Sequence, residues 1–153
     1  MKKYLIIITL VFCFIIPTSL LSARETNDSI DWLTFDEGQK RGQAQEQKFF
    51  LYFYTDWCGY CRKLEKETFS NKDVAKYINS NFIPVRINSE RMPKVAARFG
   101  VSGFPDLRFL TPKGENIGKL PGYVDADKLL PMLRYISTDS YLTMTYSDFI
   151  KKK

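Results

Sequence analysis

Cys58 and Cys61 stand two residues apart in the stretch Trp57-Cys-Gly-Tyr-Cys61, the only other cysteine is Cys13, and the chain has no histidine. Two thiols at this spacing can form a structural clip, supply half of a metal site, anchor a haem, or cycle between dithiol and disulfide. A structural zinc takes four ligands, and this chain has neither histidines nor a second cysteine pair to complete the set. Covalent haem attachment requires a histidine directly after the second cysteine, where Arg62 stands. A clip would close one of the shortest loops, the kind that stabilises least in the chain-entropy account. The redox pair is the remaining reading beside the clip, with no metal and no cofactor other than the pair itself.

The elements around the pair decide whether its thiols can react. Phe49-Phe-Leu-Tyr-Phe-Tyr54 is an almost unbroken apolar and aromatic run, the pattern of a central strand covered on both faces. From Cys58 onward Arg62 to Glu67 are good helix formers, which predicts a helix to about Phe69 with the cysteines in its first turn. A helix start offers unpaired N–H groups and about half an elementary positive charge, which stabilise a thiolate at Cys58 and keep it reactive. Thiols of this kind ionise between about pH 3.5 and 7.5 rather than near 8.5. Cys61, one turn on, can reach back to close a disulfide, so attack by Cys58 and resolution by Cys61 follow.

The rest of the chain alternates strands and helices. Ile30, Trp32 and Phe35 suggest a short strand, and Asp36 caps a helix over Glu37 to Gln47, although Gly38 and Gly42 weaken it. Asn71 and Asp73 read as caps of a helix carrying Val74, Ala75, Tyr77 and Ile78. Phe82 to Ile87 is a strand, Pro93 opens a helix through Phe99, and Gly100 closes it. Asp106–Leu110 and Asn116–Leu120 form a hairpin about Thr111-Pro-Lys-Gly114, and Gly122 ends it. Asp125 or Asp127 caps a last helix whose Leu129, Leu130, Leu133 and Ile136 make one stripe. Residues 140–153 are apolar enough to pack back on the body. This order predicts an α/β domain, a mixed sheet with helices on both faces.

Met1-Lys-Lys followed by the apolar Tyr4–Ile16, Pro17 and Thr18-Ser19 has the pattern of a signal peptide. The apolar core has 13 residues, short of the roughly 20 that span a bilayer. We expect residues 1–23 to be the leader, cut after Ala23 and taking Cys13 with it. Leu21 makes that cleavage site imperfect, and an uncleaved membrane anchor is the alternative. Residues 24–29 read as a flexible lead-in and 30–153 as one domain with a C-terminal extension over 137–153. The 130 residues after the leader carry a net charge of +4. The charge is spread out, and Lys151 to Lys153 is a solvated terminus rather than a nucleic-acid patch. An exported chain with one close cysteine pair is not a disulfide scaffold.

With Trp57-Cys-Gly-Tyr-Cys61 behind the Phe49–Tyr54 strand and Val101-Ser-Gly-Phe-Pro105 well after it, the chain resembles the thioredoxin superfamily over nearly all of Ile30 to Ile136. The resemblance implies the thioredoxin fold and a redox-active Cys58–Cys61 disulfide. It implies that Pro105 is cis and lies against the cysteines, with Phe104 offering its backbone to a substrate peptide; an ordinary turn is the other reading of Pro105. Trp57, Gly59 and Tyr60 would then shape a substrate-binding surface, against simple packing. The Cys-Gly-Tyr-Cys motif resembles bacterial periplasmic disulfide isomerases. Arg62–Phe69 and Ser70–Val74 look instead like single-domain exported thioredoxin-like proteins and the reducing domain of the membrane electron transporter that feeds them, and we weight that group.

Three departures stand out. The family's buried aspartate, six residues before the first cysteine, is replaced by Tyr52. Another group or water must then exchange protons with the resolving thiol; Glu65 is a candidate, against a solvated helix face. Asp106 follows Pro105 where threonine is usual, and a carboxylate near Cys58 would raise its pKa. No histidine lies between the cysteines, so the partner that makes some relatives strong oxidants is missing.

The expectation is therefore an exported, periplasmic or secreted thiol:disulfide oxidoreductase. It would reduce or reshuffle protein disulfides, with a membrane reductant as a further partner. The alternatives are an oxidant that installs disulfides and a non-catalytic peptide-binding module.

Overall fold

A run with a large apolar or aromatic residue at every position can be accommodated only where both faces of a strand are covered. The computed structural model describes residues 28–152, and there Lys48–Tyr54 forms β1, near the middle of a four-stranded sheet of order β2-β1-β3-β4. β2 (Phe82–Asn88) runs parallel to β1 with Leu51 opposite Val85. β3 (Asp106–Leu110) is antiparallel to β1 with Phe50 opposite Phe109, and β4 (Asn116–Pro121) completes the hairpin. The expected leader, residues 24–27 of the lead-in and Lys153 lie outside the described residues.

The alternation of β1 sorts the core into two layers. Phe50 and Tyr52 join Leu107 and Phe109 on one face, under α2 (Gly59–Leu64), α3 (Lys72–Asn81) and α5 (Ala126–Ser137). Leu51 and Phe53 join Val85, Ile87 and Leu110 on the other, beside α1 (Phe35–Ala44) and α4 (Pro93–Arg98). Among the described residues, seven rings, Trp32, Phe50, Tyr52, Tyr54, Phe69, Phe82 and Phe109, make a connected aromatic cluster on the first face. The mixed sheet with helices on both faces is the expected α/β architecture.

The first helix departs from expectation at both ends. Its cap is Thr34 rather than Asp36, because Thr34 and Glu37 form a reciprocal capping box, and it ends at Ala44 rather than Gln47. The expected strand over 30–35 is only a single parallel bridge between Leu33 and Val85, since the capping box draws the chain into a helix by Phe35. Gly38 and Gly42, which count against a helix by propensity, face the sheet: a Cβ on either would run into Val85 or Phe49. Close approach of helix to sheet outweighs the roughly 1 kcal/mol that glycine costs.

Asn71 caps α3 and Asp125 caps α5, each by accepting N–H bonds in the first turn. Residues 140–152 pack back as expected: α6 (Tyr146–Lys151) lays Tyr146 and Phe149 against Tyr135, whose hydroxyl donates to Met144 O at 2.7 Å.

Candidate redox site

The carboxyl end of β1 delivers the chain to a short loop, Thr55 to Trp57, and then to α2. Asp56 anchors that loop: its N–H donates to Glu90, its carbonyl accepts from Arg62 at 3.0 Å, and its carboxylate accepts from Asn88 at 3.0 Å. The loop therefore presents Cys58 in one orientation, as the N-cap of α2 in extended backbone. Its Sγ accepts the Cys61 N–H at 3.0 Å. A sulfur in that place takes an amide the helix leaves unpaired.

Cys58 and Cys61 are joined as a disulfide, with Cα atoms 5.2 Å apart. Cys58 is 4% exposed and Cys61 1%. The burial of Cys61 fits a resolving thiol, and Cys58 is nearly as buried in the disulfide. The motif's exposure lies in its aromatic neighbours, Trp57 at 67% and Tyr60 at 65%. Gly59 opens α2, and a Cβ there would meet nothing closer than the end of the Arg62 side chain at 3.9 Å.

The Phe104–Pro105 peptide is cis. Phe104 packs against the core layer that holds both cysteines, and its ring meets that of Trp57 edge-on at 6.0 Å. The Pro105 carbonyl accepts the Gly122 N–H at 2.7 Å. Gly122 has φ +84°, a conformation that a side chain disfavours, so this residue both ends β4 and ties down the proline loop. Its role as a tie lies outside what local sequence shows.

Asp106 turns away from the thiols. It sits opposite Phe53, on the sheet face under α4, and Arg108 grips its carboxylate through two bonds of 2.6 and 2.8 Å. The Asp106 charge expected near Cys58 is thus met by the buried Arg108 guanidinium.

Tyr52, in the family's aspartate position, is fully buried. Its hydroxyl donates to Glu65 Oε1 at 3.0 Å and lies 3.5 Å from the Cys61 carbonyl. Burial, reinforced by the Glu65 carboxylate, holds this phenol far above its ordinary range. Arg86 donates to the same Glu65 oxygen at 2.8 Å and lies over the Tyr54 ring at 4.2 Å. Glu65 is therefore bonded inward and is more than a solvated face residue. A single cation inside the apolar run Phe82 to Ile87 is itself a sequence signal that Arg86 meets a partner. Among the described residues, no group of three or more His, Cys, Asp or Glu is placed to hold a metal ion.

Known proteins are similar to this chain in sequence and in fold. A protein disulfide-isomerase of Ricinus communis is 27% identical over 126 residues, covering 78% of this chain and 25% of that protein. The thiol:disulfide interchange protein DsbD of Yersinia pestis is 30% identical over 97 residues, 60% of this chain and 16% of that one. The chain thus spans a quarter or less of the length of these two relatives. A solved thioredoxin from Thermus thermophilus superposes with a TM-score of 0.65 at 25% identity, covering 71% of this chain and 87% of that one. The family model of the thioredoxin-like domain matches residues 35–137, most of the body that carries the disulfide and the cis proline, and the chain belongs to that family.

Proposed function

We propose that this protein is an exported thiol:disulfide oxidoreductase that acts on protein disulfides and serves to reduce or reshuffle them. The observation that carries the reading is the Cys58–Cys61 disulfide at the start of α2, with the Cys61 N–H on Cys58 Sγ. In the reduced chain that amide, with the helix start behind it, favours a Cys58 thiolate. The thiolate attacks a substrate disulfide, a mixed disulfide forms, and Cys61 displaces the substrate thiol while the pair closes.

Trp57, Tyr60 and Phe104 supply an apolar platform around the pair, and the backbone beside Pro105 offers polar atoms to an extended peptide. The lack of a histidine between the cysteines favours a reductant over a strong oxidant. Export rests on the leader pattern of residues 1–23. Similarity to part of an interchange protein supports a membrane reductant as partner.

Insulin reduction by the chain, lost on changing both cysteines to serine, tests the activity. Cys61→Ser should accumulate an adduct through Cys58; adducts on Cys58→Ser alone reverse the two roles. A reduction potential near −270 mV supports the reductant, and one near −120 mV an oxidant.

A further inference from the structure

Resolution of the mixed disulfide requires Cys61 to lose a proton, and Cys61 is 1% exposed, so bulk water has little access to it. The chain has no histidine to take that proton. The acid on its own helix face is Glu65, four residues on and so one turn away. Glu65 is held from two sides by Tyr52 and Arg86 through a single carboxylate oxygen. Its side chain is 35% exposed, so one end of the group touches buried structure and the other touches water. The Tyr52 hydroxyl joins the two positions, since it contacts both the Cys61 carbonyl and the Glu65 carboxylate.

We propose, resting on the oxidoreductase reading above, that Glu65 is the proton acceptor for Cys61 in the resolving step, with Tyr52 and Arg86 as its positioning residues. The Cys61 S–H bond breaks and its proton passes to the Glu65 carboxylate. The resulting thiolate attacks Cys58 Sγ, the Cys58–substrate S–S bond breaks, and the Cys58–Cys61 bond forms. The substrate sulfur leaves as a thiolate and takes a proton from water, and Glu65 returns its own proton to water. Two electrons pass from the cysteine pair to the substrate.

Tyr52 does not serve as the base itself, because burial keeps its hydroxyl protonated. Arg86 sets its charge against the carboxylate and keeps it turned toward Tyr52. The titratable and charged groups that act on the Tyr52 hydroxyl are Glu65 from the helix, Arg86 from β2 and Tyr54 from β1. Its ring also meets the aromatic rings of Trp32 and Phe69.

The test uses the full chain, reduced and mixed with oxidised glutathione as probe. Acid quenching and mass spectrometry follow the lifetime of the Cys58–glutathione adduct from pH 6 to 10. Loss of a general base costs about 10²- to 10⁴-fold, so Glu65→Gln should lengthen that lifetime by at least about 100-fold at neutral pH. The gap to wild type should close as pH rises past the ordinary thiol range, where hydroxide replaces the carboxylate. Tyr52→Phe keeps the ring and should show a smaller loss with the same pH dependence, and it decides the matter if Glu65→Gln fails to fold. Wild-type lifetimes in both variants overturn the proposal, as does a slowing equal at every pH. If the wild-type chain forms no adduct on Cys58, the oxidoreductase reading falls as well.

Discussion

The backbone N–H of Cys61 donates to Cys58 Sγ across 3.0 Å, so the resolving residue's own amide solvates the sulfur that its thiolate later attacks. That bond gains most when the sulfur is anionic, because hydrogen bonds to charged acceptors are about twice as strong as neutral ones. In the reduced chain Cys58 should therefore titrate below the ordinary value of about 8.5. Iodoacetamide alkylation against pH measures this, and a midpoint like that of free cysteine would undo the assignment.

Asp106 and Arg108 form a two-bond ion pair on β3 with both side chains less than a tenth exposed. Arg108→Met leaves a carboxylate buried without a partner and should lose about 3–5 kcal/mol of stability. Replacing both residues by apolar ones should recover most of it, since a well-packed apolar pair is often neutral relative to the ions. Urea unfolding of the single and double variants compares the two. Equal losses would mean that packing, and not the orphaned charge, sets the cost.

Gly38 lies in α1 against Val85, a buried residue of β2, and an added methyl would collide with a Val85 γ carbon. Gly38→Ala gains about 1 kcal/mol in helix propensity but overpacks a face that cannot recede, at about 1–3 kcal/mol. The expected result is a net loss in the urea midpoint. A stabilised variant would show that α1 can shift outward freely.

Burial and Glu65 raise the Tyr52 hydroxyl far above its ordinary pKa. In the unfolded chain it ionises near pH 10. Above that pH the unfolded state binds fewer protons than the native one, so this group's contribution is full below about pH 10 and is lost as pH rises beyond it. Tyr52→Phe should make the alkaline fall in stability less steep in urea unfolding across that range. Tyr123, Tyr141 and Tyr146, also raised, keep part of it. An unchanged slope would place Tyr52 in contact with water.

Much of this molecule is local in origin. The apolar run of β1, the caps at Asn71 and Asp125, Pro93 at the start of α4 and the glycine-bounded hairpin are each legible because their cause lies within a few residues. So is the cysteine pair: its spacing equals one helical turn, and the sequence alone places it at a strand-to-helix junction. The first helix was less legible, because its glycines answer to a sheet that propensity does not see.

The side-chain partners were decided by tertiary structure. Asp106 could have opposed the thiolate or been neutralised; pleating places Asp106 and Arg108 on one face and the cysteines on the other. Glu65 reads as a surface acid until β1 and β2 bring Tyr52 and Arg86 under it from 13 and 21 residues away. Sequence determined which groups this protein owns and how each segment folds. Only packing across the sheet determined which charge meets which thiol, because that depends on contacts that no local pattern encodes.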